Sequence, residues 1–97
     1  MYVKDGLLLT AKGFLAEAIK VIPVEDYKIQ VEFESGEIVI FDMTPYIDEE
    51  YFNGLRNKEI FNSVQCKYGT AHWFNEDLQL DADMGLCTIW ENGVHIK

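Results

Sequence analysis

The chain is short of the residues that build covalent or metal frameworks, with two cysteines and two histidines among 97 residues. Cys66 and Cys87 stand far apart with no Cys-x-x-Cys pair, which is neither zinc-site spacing nor the density of a disulfide scaffold. Each thiol is predicted to be a small buried hydrophobe. Long apolar runs are lacking as well. Leu7-Leu8-Leu9, the run nearest the N-terminus, is too short for a signal-peptide core or a membrane span, so a cytoplasmic protein without membrane contact is the expectation.

Basic residues are scarce too. Eight Lys and Arg stand against 17 Asp and Glu, for a net charge of −9. Phosphate backbones are held by Lys and Arg that displace counterions, so this balance argues against direct nucleic-acid binding. The imbalance is local. The first 24 residues set Lys4, Lys12 and Lys20 against Asp5 and Glu17. From residue 25 to residue 54, Glu25, Asp26, Glu32, Glu34, Glu37, Asp42, Asp48, Glu49 and Glu50 face Lys28 alone. Such a stretch is either a solvated surface or a docking face for a basic protein partner.

What is abundant is core-forming material. Apolar residues make up 48% of the chain and aromatics 13%, which is enough to bury one core in one domain of this length. Tyr27, Ile29, Val31 and Phe33 alternate with Lys28, Gln30, Glu32 and Glu34, the period of a half-buried strand. Ser35-Gly36 reverses the chain into Ile38-Val39-Ile40-Phe41. Read as a two-residue loop, it sets Phe33 opposite Ile38, Val31 opposite Ile40 and Glu32 opposite Val39, and makes the returning strand central. Ala18 to Ile22, ending at Pro23, is the predicted neighbour of that returning strand.

Thr44-Pro45 followed by Asp48, Glu49 and Glu50 predicts a helix start, and Asn53-Gly54 its end. A further helical turn is expected from Lys58 to Asn62, capped by Asn57 and placing Ile60 and Phe61 against the sheet. Hairpins are predicted around Asp5-Gly6, around Gly69-Thr70 between Val64 and Phe74, and around Asn92-Gly93 between Ile89-Trp90-Glu91 and Val94-His95-Ile96. The expected architecture is a single α+β domain of antiparallel hairpins with one or two short helices on the sheet.

From about residue 17 to residue 83 the order of features resembles the bacterial family catalogued as domain of unknown function 2442. The resemblance is carried by the strand through Val21, Phe33-Glu34-Ser35-Gly36-Glu37, Phe41-Asp42-Met43-Thr44-Pro45, Leu55-Arg56, Ile60-Phe61, Val64, Trp73-Phe74-Asn75 and Asp77 to Asp83. It implies a compact α+β fold and no known catalytic residues. It also implies small bacterial proteins, some joined to a helix-turn-helix segment and some encoded beside another small protein as in a toxin–antitoxin pair. Residues 1–13 and 86–97 read as additions to the shared core, Ala82 replaces a common Pro, and the chain ends too soon for a DNA-binding helical domain.

No catalytic constellation emerges. Ser35 lies in a turn, Ser63 follows a helix, neither sits in a Gly-x-Ser-x-Gly elbow, and no glycine-rich phosphate loop exists. No cofactor is expected. His72 with Asp77, Asp81 and Asp83 is the alternative site, for acid–base chemistry or a hard cation. The Asp-x-x-x-Asp-x-Asp spacing is not that of a calcium loop, and turn capping around Ala82 is the simpler role for these aspartates. Tyr46, Tyr51, Phe52, Trp73, Phe74 and Trp90 read mostly as core, the last three in strands, with Tyr51-Phe52 open to a second reading. Asp48, Glu49, Glu50, Tyr51 and Phe52 form the predicted interaction face, aromatic residues beside an acidic rim. The favoured reading is a non-catalytic interaction module, antitoxin-like and binding a protein encoded nearby. A homodimer paired through its terminal hairpins is compatible with it.

Overall fold

The computed structural model describes residues 1–97. In chain order its elements are β1 (Tyr2–Lys4), β2 (Leu7–Leu9), β3 (Ala18–Val24), β4 (Lys28–Phe33), β5 (Ile38–Asp42), a 3-10 turn (Glu50–Phe52), α1 (Lys58–Phe61), β6 (Gln65–Lys67), β7 (Thr70–Asn75), β8 (Leu80–Met84), α2 (Leu86–Asn92) and β9 (Val94–His95). The fold is α+β and mostly β, with antiparallel sheets ordered β1-β2, β3-β4-β5-β9 and β6-β7-β8. We call these the N-terminal hairpin, the central sheet and the C-terminal sheet.

Turn chemistry explains the hairpins. Asp5 and Gly6 both take positive φ, at 53° and 77°, as do Tyr68 and Gly69 at 55° and 73°. Two consecutive residues of that sign make the mirror-image turn whose twist matches paired strands. The second turn therefore falls at Tyr68-Gly69, one residue before the expected Gly69-Thr70, and Lys67 pairs with Thr70.

The β4–β5 register differs from the expected one. Phe33 N–H donates to Glu37 O at 2.8 Å and Gly36 takes φ 92°, so the loop is Glu34-Ser35-Gly36. A three-residue loop ending in a left-handed glycine moves every pair by one, to Glu32 opposite Ile38, Val31 opposite Val39 and Ile29 opposite Phe41. Ile29, Val31 and Phe33 thereby join Val39, Phe41 and Met43 on one buried face, while Ile38 and Ile40 are only half-buried. β5 is interior as expected, but its neighbours are β4 and β9, and β3 pairs with β4.

Two helical expectations change. Residues 44–48 form a string of turns rather than an α-helix, with Tyr46 and Ile47 N–H both donating to Met43 O. Asp42 Oδ1, not the Thr44 hydroxyl, accepts the first free amide, Thr44 N–H, at 2.8 Å. The segment is short, and its carboxylates lack cations four residues on, so packing decides its path, burying Met43, Ile47, Phe52 and Leu55.

The C-terminal segment is the larger correction. Ile89-Trp90-Glu91 is helical, and Asn92-Gly93 ends α2 instead of turning a hairpin. Gly93 has φ −84°, its N–H donates to Ile89 O at 2.9 Å, and a Cβ there would lie 2.3 Å from Val39 Cγ1. Close approach demands this glycine. Trp90 consequently sits on α2, edge-on to Phe33 at 5.7 Å between ring centroids, and β9 completes the central sheet beside β5.

α1 forms as expected, with Asn57 Oδ1 accepting from Glu59 N–H at 2.9 Å and Phe61 buried. Phe61 and Phe52 pack against Trp73, whose Nε1–H donates to Phe61 O at 2.9 Å. A buried indole of this size, with its polar atom satisfied, anchors the 3-10 turn and α1 to the C-terminal sheet.

Candidate functional site

The strands of the C-terminal sheet divide their side chains by period. Ala71 and Trp73 of β7 and Leu80, Ala82 and Met84 of β8 point into the core. The other face carries His72 and Phe74 of β7, opposite Asp83 and Asp81 respectively. Gln65 of β6 lies opposite His72 on the same side.

On this outer face His72 is 7% exposed, the only buried polar residue of the molecule. Its Nε2 lies 2.7 Å from Asp81 Oδ1, a diagonal cross-strand contact. A carboxylate only accepts, so Nε2 carries the proton, and Nδ1 is left buried without a hydrogen-bond partner. The Tyr68 ring stands edge-on to His72 at 6.0 Å. Across β8, the Tyr51 hydroxyl donates to Asp83 Oδ1 at 3.0 Å and accepts from Asp83 N–H at 3.3 Å, covering the open strand edge. Phe74, Tyr51 and Tyr68 remain exposed. The result is a surface of aromatic rings set among carboxylates.

The alternative site is only partly assembled. Asp81 meets His72, Asp83 meets Tyr51, and Asp77 lies exposed in the turn between β7 and β8. No three His, Cys, Asp or Glu side chains converge closely enough to hold a metal ion. Nor do these aspartates cap turns around Ala82, because Asp81 and Asp83 sit on a strand and Asn75 Oδ1 caps the turn by accepting from Leu78 N–H at 3.1 Å.

The five-residue face read from sequence is redistributed. Phe52 is buried beneath Trp73 and cannot contact a partner. Asp48 is held by Arg56, whose Nε–H donates to Oδ1 at 2.9 Å, while Glu49, Glu50 and Tyr51 are exposed. That guanidinium keeps the Asp48 carboxyl below the usual carboxylate range. The acidic stretch is not one surface either. Glu25 and Asp26 lie at one end of β4 and Glu34 and Glu37 at the other, about 20 Å apart at strand rise.

Both thiols are half-buried donors rather than buried hydrophobes. Cys66 Sγ–H donates to Ala18 O at 3.2 Å and Cys87 Sγ–H to Gly6 O at 2.8 Å. Burial first, then Glu17 near Cys66 and Glu91 near Cys87, push the thiols up from their ordinary value, which disfavours the nucleophilic thiolate.

Phe74 and Tyr68 were missing from the sequence-derived face. The signal for Phe74 was the alternation in Thr70–Asn75, which sends Trp73 and Phe74 to opposite sides, whereas Tyr68 is placed by its left-handed turn.

No helix is long and apolar enough to cross a membrane. The family described as "Protein of unknown function (DUF2442)" matches residues 18–95, a span that includes α2 and β9 and leaves out the N-terminal hairpin. No curated protein and no solved structure matches the chain.

Proposed function

The chain belongs to the DUF2442 family, and from that premise we propose that it is a non-catalytic protein–protein interaction module whose docking surface is the outer face of the C-terminal sheet. One observation carries the reading: Tyr51, Phe74 and Tyr68 stand exposed around Asp81 and Asp83 on a single sheet face. Exposed aromatics supply most of the energy at protein interfaces, and a rim of one charge selects a partner of the other. The partner is therefore cationic. Lys67 of β6 shares this face, but its Nζ lies over the Tyr68 ring, 5.4 Å from the centroid, and pairs with no carboxylate, so Asp81 and Asp83 are left without a Lys or Arg partner in the molecule.

Candidate chemical groups are meanwhile committed to structural bonds, His72 to Asp81 and the thiols to backbone carbonyls. The resemblance to a family some of whose members are encoded beside another small protein supports a partner encoded nearby and an antitoxin-like role. Co-expression with the neighbouring gene product should yield a stoichiometric complex that Phe74→Ser and Asp83→Lys both weaken. A complex indifferent to those changes, or none at all, would remove this reading.

A further inference from the structure

Cations of the kind this face selects occur on the chain itself. Lys4 lies opposite Leu7 in the N-terminal hairpin, so both project from the same side, and Tyr2 shares that side. Lys12 belongs to the adjoining loop, where a Cβ on neighbouring Gly13 would lie 3.8 Å from the Tyr2 hydroxyl. Neither lysine has a carboxylate partner. Leu7, Phe14 and Leu15 are 50%, 69% and 62% exposed beside them. The hairpin and its adjoining loop thus offer Lys4 and Lys12 against the one acid of the turn, Asp5, together with apolar side chains, and the C-terminal sheet offers Asp81 and Asp83 against the one cation Lys67, together with aromatic rings.

The two surfaces are adjacent. Tyr68 packs against His72 on the outer sheet face and also lines a groove of about 440 Å³ with Leu7, Leu15 and Leu86. Two complementary patches side by side on one molecule satisfy a two-fold axis, because each copy then receives the same contact that it gives.

Resting on the reading of the outer sheet face as a docking surface, we propose that in the free protein its occupant is a second copy of the chain, which the cationic partner displaces. The N-terminal hairpin of each copy lies across Phe74, Asp81 and Asp83 of the other. Lys4 and Lys12 face the carboxylates, and Leu7 and Leu15 cover the aromatic rings. The net charge of −9 on each copy opposes association. At physiological ionic strength, however, charges more than about 8 Å apart are largely screened, so the local opposite charges dominate. Above that ionic strength the net repulsion is already screened, so further salt acts on the local pairs and weakens the dimer.

The test is sedimentation equilibrium on the full chain and on two charge-reversed variants, Lys4→Glu/Lys12→Glu and Asp81→Lys/Asp83→Lys. Wild type should dimerise below about 1 mM, and each variant alone should weaken dimerisation by about tenfold or more. Mixing the two variants should restore the dimer, because every reversed hairpin then meets a reversed sheet face and every native hairpin a native one. Phe74→Ser keeps the test open if the aspartate changes disturb folding. Phe74 is 59% exposed, so the change should weaken the dimer without altering the melting curve of the dilute, monomeric protein. A wild-type monomer at about 1 mM, or a mixture that stays monomeric although both variants fold, overturns the dimer. Either outcome leaves the docking surface to be judged by its own partner-binding test.

Discussion

On its inner side the C-terminal sheet buries Ala71, Trp73, Leu80, Ala82 and Met84, whereas its outer side carries Phe74, Asp81 and Asp83 into solvent around a buried His72. Both faces come from alternate residues of the same strands. The difference teaches that stability and recognition are written at interleaved positions, so that neighbours in sequence should respond to substitution in opposite ways.

The largest effect is expected at Trp73. Trp73→Ala removes the indole shared by Phe52 and Phe61, leaves Phe61 O without its donor, and should cost about 3–5 kcal/mol in urea unfolding. Gly93→Ala carries the comparison into the central sheet, where a methyl group has no room against Val39 and Ile89 O. A loss of about 1–3 kcal/mol is expected by thermal melting.

His72 lies between the two regimes, being buried yet on the outer face. His72→Ala should cost about 1–2 kcal/mol, less than Trp73→Ala because its partner Asp81 is free to return to water. Phe74→Ser would break the comparison if it behaved like its neighbour Trp73. A change within about 0.5 kcal/mol in the same urea assay is expected.

Acid sensitivity offers the finest distinction. The Thr44 hydroxyl and amide, with Lys28 nearby, hold the Asp42 carboxyl below its usual range despite some burial. A carboxyl depressed in the folded state stabilises the fold above its unfolded value, and that contribution is lost as pH falls through the folded one. Asp42→Asn should therefore flatten part of the decline in urea midpoints below about pH 4, at the expense of a little stability near neutrality.

Much of this fold was legible in the residues because period and turn chemistry agree. Asp5-Gly6, the alternation from Tyr27 to Phe33 and the Asn57 cap all led to the elements that form. Failures arose where one local signal outweighed another. Asn92-Gly93 resembles a hairpin turn, yet Leu86, Ile89, Trp90 and Gly93 follow the spacing of one helix face, and the tight seat of Gly93 against Val39 is a tertiary fact. The β4–β5 register depended on whether the loop held two residues or three, a choice that Gly36 settles only through its left-handed backbone. The alternation of Leu80, Ala82 and Met84 with Asp81 and Asp83 was present as a strand signal, but the acids suggested turn capping instead.

The outer face was the least legible part. His72–Asp81 is a diagonal contact that exists only once β7 and β8 are in register, and Tyr51 reaches Asp83 from a distant turn. Phe52 shows the converse, since beside acids and Tyr51 it was open to both a core and a surface reading, and packing under Trp73 decides for the core.

The most direct measurement is a dilution series of the isotope-labelled chain followed by backbone amide shifts, from about 1 mM down to about 20 µM. If protein contacts are made through the outer sheet face and the N-terminal hairpin, shifts should move at residues 2–15, Tyr51, Phe74, Asp81 and Asp83 and stay fixed in the β3–β4 turn and α1. Spectra that do not change with concentration, or changes confined to that turn and α1, would contradict self-association through these two surfaces.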